Sequence, residues 1–142
     1  MRTNSLLGTL LAVALGSVAV SAHAQVVVII SSKNPISKLT PDQVSQIFLG
    51  QAKTFYSGGM AVPVDQTEGA AARHEFYQKV AGKSPAQLKA YWSKLTFSGN
   101  AQPPLVLADD QAVVKKVAEN PKYIGYVDKA AVDGSVKVVL AP

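Results

Sequence analysis

The residues best placed for ligand chemistry lie between Asp65 and Ala72, in the order Asp-Gln-Thr-Glu-Gly-Ala-Ala-Ala. Here a glycine and three alanines stand where the chain enters a predicted helix, so small side chains leave the unpaired N–H groups of the first turn open to an anion. The segment predicts an oxyanion site formed by Gln66, Thr67, Gly69, Ala70, Ala71 and Ala72. A structural interpretation is also open, in which Gly69 makes a tight turn and the alanines pack helix on sheet.

The residues needed for catalysis or metal binding are not arranged for either. His74 has no second histidine four residues on, the chain has no cysteine, and no G-x-S-x-G turn occurs. Asp109 and Asp110 are adjacent at a predicted helix start, where they face apart and fit capping and dipole complementarity. The sequence therefore predicts a binding protein without a metal or cofactor, and not an enzyme.

The N-terminal residues predict export. Arg2 precedes the apolar run Leu6 to Val20, and Ala22-His23-Ala24 fits the pattern that signal peptidase cleaves. We expect residues 1–24 to be a signal peptide cleaved after Ala24 and residues 25–142 to be one periplasmic domain. The length of that domain suits a single hydrophobic core, and without cysteine it must be held by burial alone.

The charge is mildly basic. The whole chain carries +5, and loss of Arg2 leaves 13 Lys and Arg against 9 Asp and Glu, or +4. The lysines are scattered and are not interleaved with aromatic residues, which argues against nucleic-acid binding. A positive surface favours an anionic ligand by long-range attraction.

Helix and strand signals alternate along the predicted domain. Thr40-Pro41 with Gln43 and Ser84-Pro85 with Gln87 each combine an N-cap, a proline at the first position and a capping-box glutamine. Glycines 50 and 82 stand at predicted helix ends. We expect strands at 26–30, 61–64, 123–127 and 136–140, and helices at 41–49, from about 70 to 81, from 85 onward, and from 110 to 119.

This order predicts an α/β fold: a single three-layer lobe with a mixed, partly parallel sheet flanked by helices. Strand ends and helix starts of open α/β sheets converge on one crevice. That rule adds Ser32 and Thr40 to the candidate ligand-binding residues.

The sequence resembles the small phosphate ABC transporter substrate-binding-like proteins, over nearly all of residues 25–142. The order of pieces is similar to one lobe of a type 2 periplasmic binding protein. The matching pieces are Leu39-Thr40-Pro41-Asp42-Gln43-Val44, Ile47-Phe48-Leu49-Gly50, Pro63-Val64-Asp65, Arg73, Phe76-Tyr77, Tyr91-Trp92, Phe97-Ser98-Gly99, Pro103-Pro104 and Ile124-Gly125-Tyr126-Val127.

The resemblance implies a phosphate loop that this sequence has altered. In the full-length phosphate-binding proteins that loop carries an arginine and a Ser-Gly-Thr; aligned through Arg73 and Phe76, these positions are Gln66 and Ala70-Ala71-Ala72 here. Charge-assisted hydrogen bonds are worth about 1.5–3 kcal/mol each. We therefore expect phosphate affinity several powers of ten weaker than in those proteins.

Two functions remain after these observations. The first is a periplasmic solute-binding protein of the phosphate-uptake type that holds an oxyanion such as phosphate. Its partner would be an ABC permease, or a second lobe supplied by a homodimer or another periplasmic protein, because a clamshell receptor uses two lobes. The second is a periplasmic interaction or adaptor domain that kept the fold and lost the ligand.

Overall fold

The computed structural model describes residues 25–142, so the predicted signal peptide lies outside the described residues. Five strands and four α-helices alternate along this part of the chain, and α2 continues directly into a π-helix. In chain order the elements are β1 (Val26–Ser31), α1 (Pro41–Phe48), β2 (Val62–Gln66), α2 (Ala71–Phe76), the π-helix (Tyr77–Ala81), α3 (Pro85–Ser98), β3 (Leu105–Leu107), α4 (Asp110–Glu119), β4 (Tyr123–Asp128), a short 3₁₀ helix (Lys129–Ala131) and β5 (Val136–Leu140).

The strands form one mixed sheet in the order β3-β2-β4-β1-β5. β2 runs parallel to both β3 and β4, whereas β1 runs antiparallel to β4 and β5. The central strand β4 is paired on both sides and β1 is buried along its whole length, as their continuous apolar sequences predict. The predicted mixed, partly parallel sheet is confirmed.

Helices cover both faces of the sheet and complete three layers. On one face α4 places Val113, Val114 and Val117 against the sheet. On the other face α1, α2 and α3 share a larger core that includes Phe48, Phe76 and Trp92. The three-layer α/β fold predicted from the sequence is therefore confirmed.

The helix starts are built as the sequence predicts. In both α1 and α3 the N-cap hydroxyl, Thr40 or Ser84, accepts the N–H of the third helical residue, and the glutamine there accepts the N-cap N–H. Each capping box fixes where its helix begins and so sets the direction in which it crosses the sheet. Asp109 caps α4 by accepting the N–H of Ala112 at 2.8 Å.

Two local features differ from the expected elements. The edge strand β3 is not among the predicted strands, because three half-exposed residues after two prolines are too few to show a strand period. The second helix changes from α to π at Tyr77. A stripe of apolar residues predicts that the helix continues, but over a single turn it does not show whether the backbone hydrogen bonds are those of an α-helix or of a π-helix.

Candidate anion site

A buried carboxylate, Asp65, lies at the centre of the candidate site. It is near the end of β2 and is 1% exposed. The Tyr77 hydroxyl donates to its Oδ2 at 2.5 Å, the Tyr126 hydroxyl donates to its Oδ1, and the N–H of Gln66 donates to Oδ1 at 2.8 Å. A buried carboxylate is stable only with such donors or a cation, so this cluster fixes the end of β2 against β4 and the second helix.

The two tyrosines remain neutral donors. Burial raises the pKa of Tyr77 and of Tyr126 well above the usual range, and the neighbouring negative charge of Asp65 raises both further. Their rings belong to an aromatic cluster in which Phe76 and Tyr126 stack with centroids 4.1 Å apart. The cluster holds the hydroxyl groups on Asp65, and it places the following loop reproducibly at this edge of the sheet.

Arg73 links this buried cluster to the surface. Its Nη1 lies 3.2 Å from Asp65 Oδ2 and donates to the backbone oxygen of Gln66 at 2.9 Å, and its guanidinium lies over the Tyr77 ring. Among residues 25–142 no hydrogen bond uses its other guanidinium nitrogens. Since a guanidinium carries five N–H donors, Arg73 is anchored on one side and retains donors for a ligand.

The Gln66 side chain is engaged within the protein. Gln66 is 3% exposed, and its Nε2 donates to Asp110 Oδ1 at 2.8 Å and to the Tyr126 backbone oxygen at 3.0 Å. These two bonds use both hydrogens of the amide and connect β2 to α4 and β4. In this conformation Gln66 positions the loop that follows it and has no N–H left to offer an anion.

The loop from Thr67 into α2 is exposed and made of small residues. The N–H of Ala70 donates to the Thr67 backbone oxygen at 3.0 Å, so it is used inside the loop. Ala71 and Ala72 occupy the first two positions of α2, where backbone N–H groups have no acceptor within the helix. The space where a side chain would project from Gly69 is open.

Beside this loop lies a cavity of about 440 Å³. Gly69, Ala70 and Ala71 line one side of it, together with Arg73. The rest of the lining comes from Tyr77 at the start of the π-helix, from Lys83 just after that helix, and from the first turns of α3. Three cationic side chains and one carboxylate line the cavity, so its wall is net positive even with His74 neutral; the charged and titratable lining residues are Arg73, Lys83, Lys89, His74 and Glu68.

Two of those cations have no carboxylate partner. Within residues 25–142 the ion pairs join Arg73 to Asp65, Lys79 to Glu75 and Lys116 to Glu119. Lys83 lies with its ammonium 5.0 Å from the centre of the Tyr91 ring, and Lys89 is exposed. Their charge is therefore not neutralised by the protein.

The start of α3 adds a second helix end to the cavity, through Pro85 and Ala86. The N–H of Gln87 is taken by the Ser84 hydroxyl, whereas Ala86 is at the second helical position, whose N–H has no acceptor within the helix. The partial positive charge of an N-terminus favours anions. Both the loop into α2 and the start of α3 therefore contribute positive potential to one space.

The structure does not bring Ser32 and Thr40 to this cavity. Because β1 is antiparallel to β4, its last residue, Ser31, lies beside the beginning of β4. The loop after Gln66 lies at the other end of the strands. Thr40 lies beside β5, where the N–H of Leu39 donates to Val139. The rule that gathers strand ends in one crevice assumes parallel strands, and β1 runs in the opposite direction. β5 has the direction of β2, but β4 and β1 lie between the two strands, so Thr40 is on the far side of the sheet.

Asp65, Arg73, Lys83 and Lys89 support or line the site but were not among the predicted ligand-binding residues. One signal was available for the first: an aspartate directly after the apolar residues of a predicted strand is buried only if it is paired. Arg73 entered the sequence comparison as an alignment anchor without a function. Lys83 and Lys89 are two of many scattered lysines, and no local pattern marks them.

Within the part of the chain that the structure describes, no group of His, Cys, Asp and Glu side chains could hold a metal ion. None of the helices between residues 25 and 142 is long and apolar enough to cross a bilayer.

Known structures share this fold. An ABC-type phosphate transport receptor from Vibrio cholerae matches 82% of this chain with a TM-score of 0.65 and 18% identity. A protein from Clostridium perfringens, described as a phosphate ABC transporter substrate-binding protein with bound phosphate, matches the same share of this chain with a TM-score of 0.63 and 23% identity. PstS from Borrelia burgdorferi gives 0.62 with 13% identity, again over 82% of this chain. No family model and no curated protein matches the chain.

The chain spans less than half the length of these structures, covering 45%, 44% and 46% of them respectively. It therefore has the fold of a single lobe of a PstS-type phosphate substrate-binding protein, and the fold implied by the sequence resemblance is confirmed. At these identities the likeness concerns the fold.

Proposed function

We propose that this protein is a periplasmic solute-binding protein of the phosphate-uptake type that binds an oxyanion, such as phosphate, without catalysis. The observation that carries the proposal is the positively lined cavity between the Gly69 loop and the start of α3. It lies directly beside the loop for which the sequence predicts an oxyanion site. The fold is also that of proteins described as phosphate receptors.

In this proposal the anion contacts backbone N–H groups and cations rather than hydroxyl groups. Ala71 and Ala72 offer first-turn N–H groups, and Gly69 and Ala70 leave room for close approach. Thr67 lines the neighbouring groove and not this cavity. Gln66 acts by holding the loop through its bonds to α4 and β4. Ser32 and Thr40 do not line the cavity.

Arg73 has a special place in the proposed site. The sequence comparison implies that the loop arginine of phosphate-binding proteins is replaced here by Gln66. The guanidinium of Arg73 reaches back to the Gln66 backbone oxygen, seven residues earlier, and still lines the cavity. We infer that Arg73 restores from the helix the cation that the loop has lost, which favours an affinity above that expected from the loop sequence alone.

Isothermal titration of the purified protein with phosphate, with sulfate as a second anion, tests the proposal. We expect saturable binding that is lost in Gly69→Trp and retained in Gly134→Trp. Both glycines have open space around them and neither has a positive φ, but Gly134 lies before β5, away from the cavity. Absence of heat with both anions at millimolar concentration would refute the oxyanion function.

A variant that lacks two of the cavity cations tests the proposal independently. Replacing both Lys83 and Lys89 by glutamine should weaken anion binding about tenfold, since exposed charges contribute up to about 1 kcal/mol each. The matched variant replaces Lys115 and Lys129, which are exposed elsewhere on the surface. Equal affinities in the two double variants would show that the cavity cations do not contact the anion.

The second candidate function is an interaction domain, which an exposed apolar surface favours. Phe97 on α3 is 97% exposed, and it lines an open groove with Trp92, Pro103 and Val106 of the edge strand β3. An exposed aromatic side chain and a free strand edge are features of protein-binding surfaces. Two results together would support this function: the protein binds neither phosphate nor sulfate, and a partner protein captured in a pull-down is no longer captured by the Phe97→Ser variant.

The partners follow from the first candidate function. A phosphate-uptake receptor acts with an ABC permease, and a clamshell receptor requires a second lobe, from a homodimer or another periplasmic protein, to cover its ligand. Export by the predicted signal peptide would place the protein in the periplasm. Cell fractionation, with detection of a shortened chain beginning at Gln25, tests that location.

A further inference from the structure

The cavity beside the Gly69 loop is much larger than a bare oxyanion. A tetrahedral oxyanion has five heavy atoms and fills at most about 150 Å³ if each takes a water's share of about 30 Å³. The cavity measures about 440 Å³, within the range of about 300–1,000 Å³ for sites of organic ligands. An inorganic anion would therefore leave most of this space to water.

The residues that line the cavity are also of two kinds. Arg73, Lys83 and Lys89 are cationic, Glu68 is acidic and His74 is polar, whereas the other lining residues are apolar or small. The apolar and small residues include an aromatic ring whose hydroxyl is already bonded to Asp65, a buried leucine, and residues at the two helix starts; these are Tyr77, Leu88, Pro85, Ala86, Ala70 and Ala71.

A fully hydrated anion would not cover the apolar lining residues, so these residues would contribute nothing to the free energy of binding. Apolar surface contributes to binding when the ligand covers it and removes it from water, roughly in proportion to the area covered. A lining that combines cations with apolar residues matches a ligand that has an anionic head and an apolar body. Ligand sites generally combine a mainly apolar lining with a few polar groups that fix orientation.

We propose that the ligand of this site is an organic oxyanion, a phosphonate or phosphate monoester carrying a compact apolar group, with its head at Arg73 and the lysines and its body against the exposed Pro85 and Ala86. This inference rests on the proposed oxyanion function and narrows its ligand class. It distinguishes the protein from a receptor for inorganic phosphate, because the apolar group supplies part of the affinity.

A probe series tests the inference: inorganic phosphate, methylphosphonate and phenylphosphonate, with benzyl alcohol as a neutral probe that has the ring but no anionic head. We expect phenylphosphonate to bind at least tenfold more tightly than methylphosphonate, and benzyl alcohol not to bind at millimolar concentration. Equal affinity for all three anions would overturn the inference and leave the oxyanion function standing. No binding of any anion would overturn both.

Two variants on one helix locate the apolar body. Ala86→Trp fills the apolar side of the cavity, whereas Ala90→Trp places the same side chain one turn later on α3, at an exposed residue that does not line the cavity. We expect Ala86→Trp to remove the phenyl advantage, so that in this variant phenylphosphonate binds no more tightly than methylphosphonate, and Ala90→Trp to keep the advantage. A phenyl advantage that survives Ala86→Trp would contradict the placement, and circular dichroism of both variants checks that they fold.

Discussion

At the residue scale, stability at the site depends on the hydroxyl groups bonded to Asp65. Tyr77→Phe and Tyr126→Phe each remove one donor to a buried carboxylate and leave its charge less compensated. We expect each to lower the free energy of unfolding by about 1.5–3 kcal/mol, measured by urea denaturation. Tyr56→Phe is the matched control, since Tyr56 is exposed, and it should change stability by less than about 0.5 kcal/mol. Equal effects in all three variants would show that the Asp65 bonds contribute little.

The same tyrosines predict a loss of stability in alkali. Their pKa values in the folded protein are raised above the ordinary value of 10.0, so above about pH 10 the unfolded chain releases protons that the folded protein retains. The contribution of these tyrosines to the free energy of unfolding is therefore complete below pH 10. Above pH 10 it falls by up to about 1.4 kcal/mol per pH unit for each tyrosine. Urea denaturation at pH 9, 10 and 11 measures the slope. The variant lacking both hydroxyls should show a shallower slope, and an unchanged slope would contradict the assignment.

Residue patterns could predict part of the candidate site. The small residues from Gly69 to Ala72 were identified because a helix start is a local feature, readable from a few neighbouring side chains. Arg73 and Lys83 become site residues only when the second helix and the start of α3 lie side by side. No short pattern records that contact, so these residues could not be identified from sequence spacing.

At the element scale, the approach of α4 to β4 depends on Gly125. A Cβ there would lie 2.6 Å from Val113 Cγ1 and 3.2 Å from Val117 Cγ2. Gly125→Ala should therefore destabilise the protein by about 1–3 kcal/mol, as overpacked cores do, measured by urea denaturation. Gly134→Ala, in open space, is the control. If adding Val113→Ala does not reduce the cost of Gly125→Ala, the close approach is not its cause.

Element starts were predictable where one motif sets them, and element direction was not. The two capping boxes were located from sequence, and the cap of α4 was placed at Asp109 or Asp110, because such bonds join residues only three apart. The antiparallel direction of β1 has no such local signature, since its apolar run fits a buried strand of either direction. For this reason the sequence predicts Ser32 near Gln66, whereas in the structure the two residues lie at opposite ends of the strands.

At the scale of the whole molecule, the three layers divide the chain into two surfaces with different properties. One face of the sheet is closed by α4, and the other carries α1, α2 and α3 with the cavity between the last two. The Asp65 cluster lies at the junction of β2, β4 and α2, so it connects the core to the cavity wall. The proposed anion site is thus supported by the same contacts that stabilise the lobe.

The most direct test of that arrangement is to map phosphate binding by heteronuclear NMR of the purified protein. We expect the backbone amide signals of Gly69, Ala71, Ala72 and Ala86 to shift together and to saturate with one dissociation constant. The amides of Ser32 and Thr40 should not move. Shifts centred on Ser32 or Thr40, or no shifts up to millimolar phosphate, would contradict the claim that the cavity beside Gly69 holds an oxyanion.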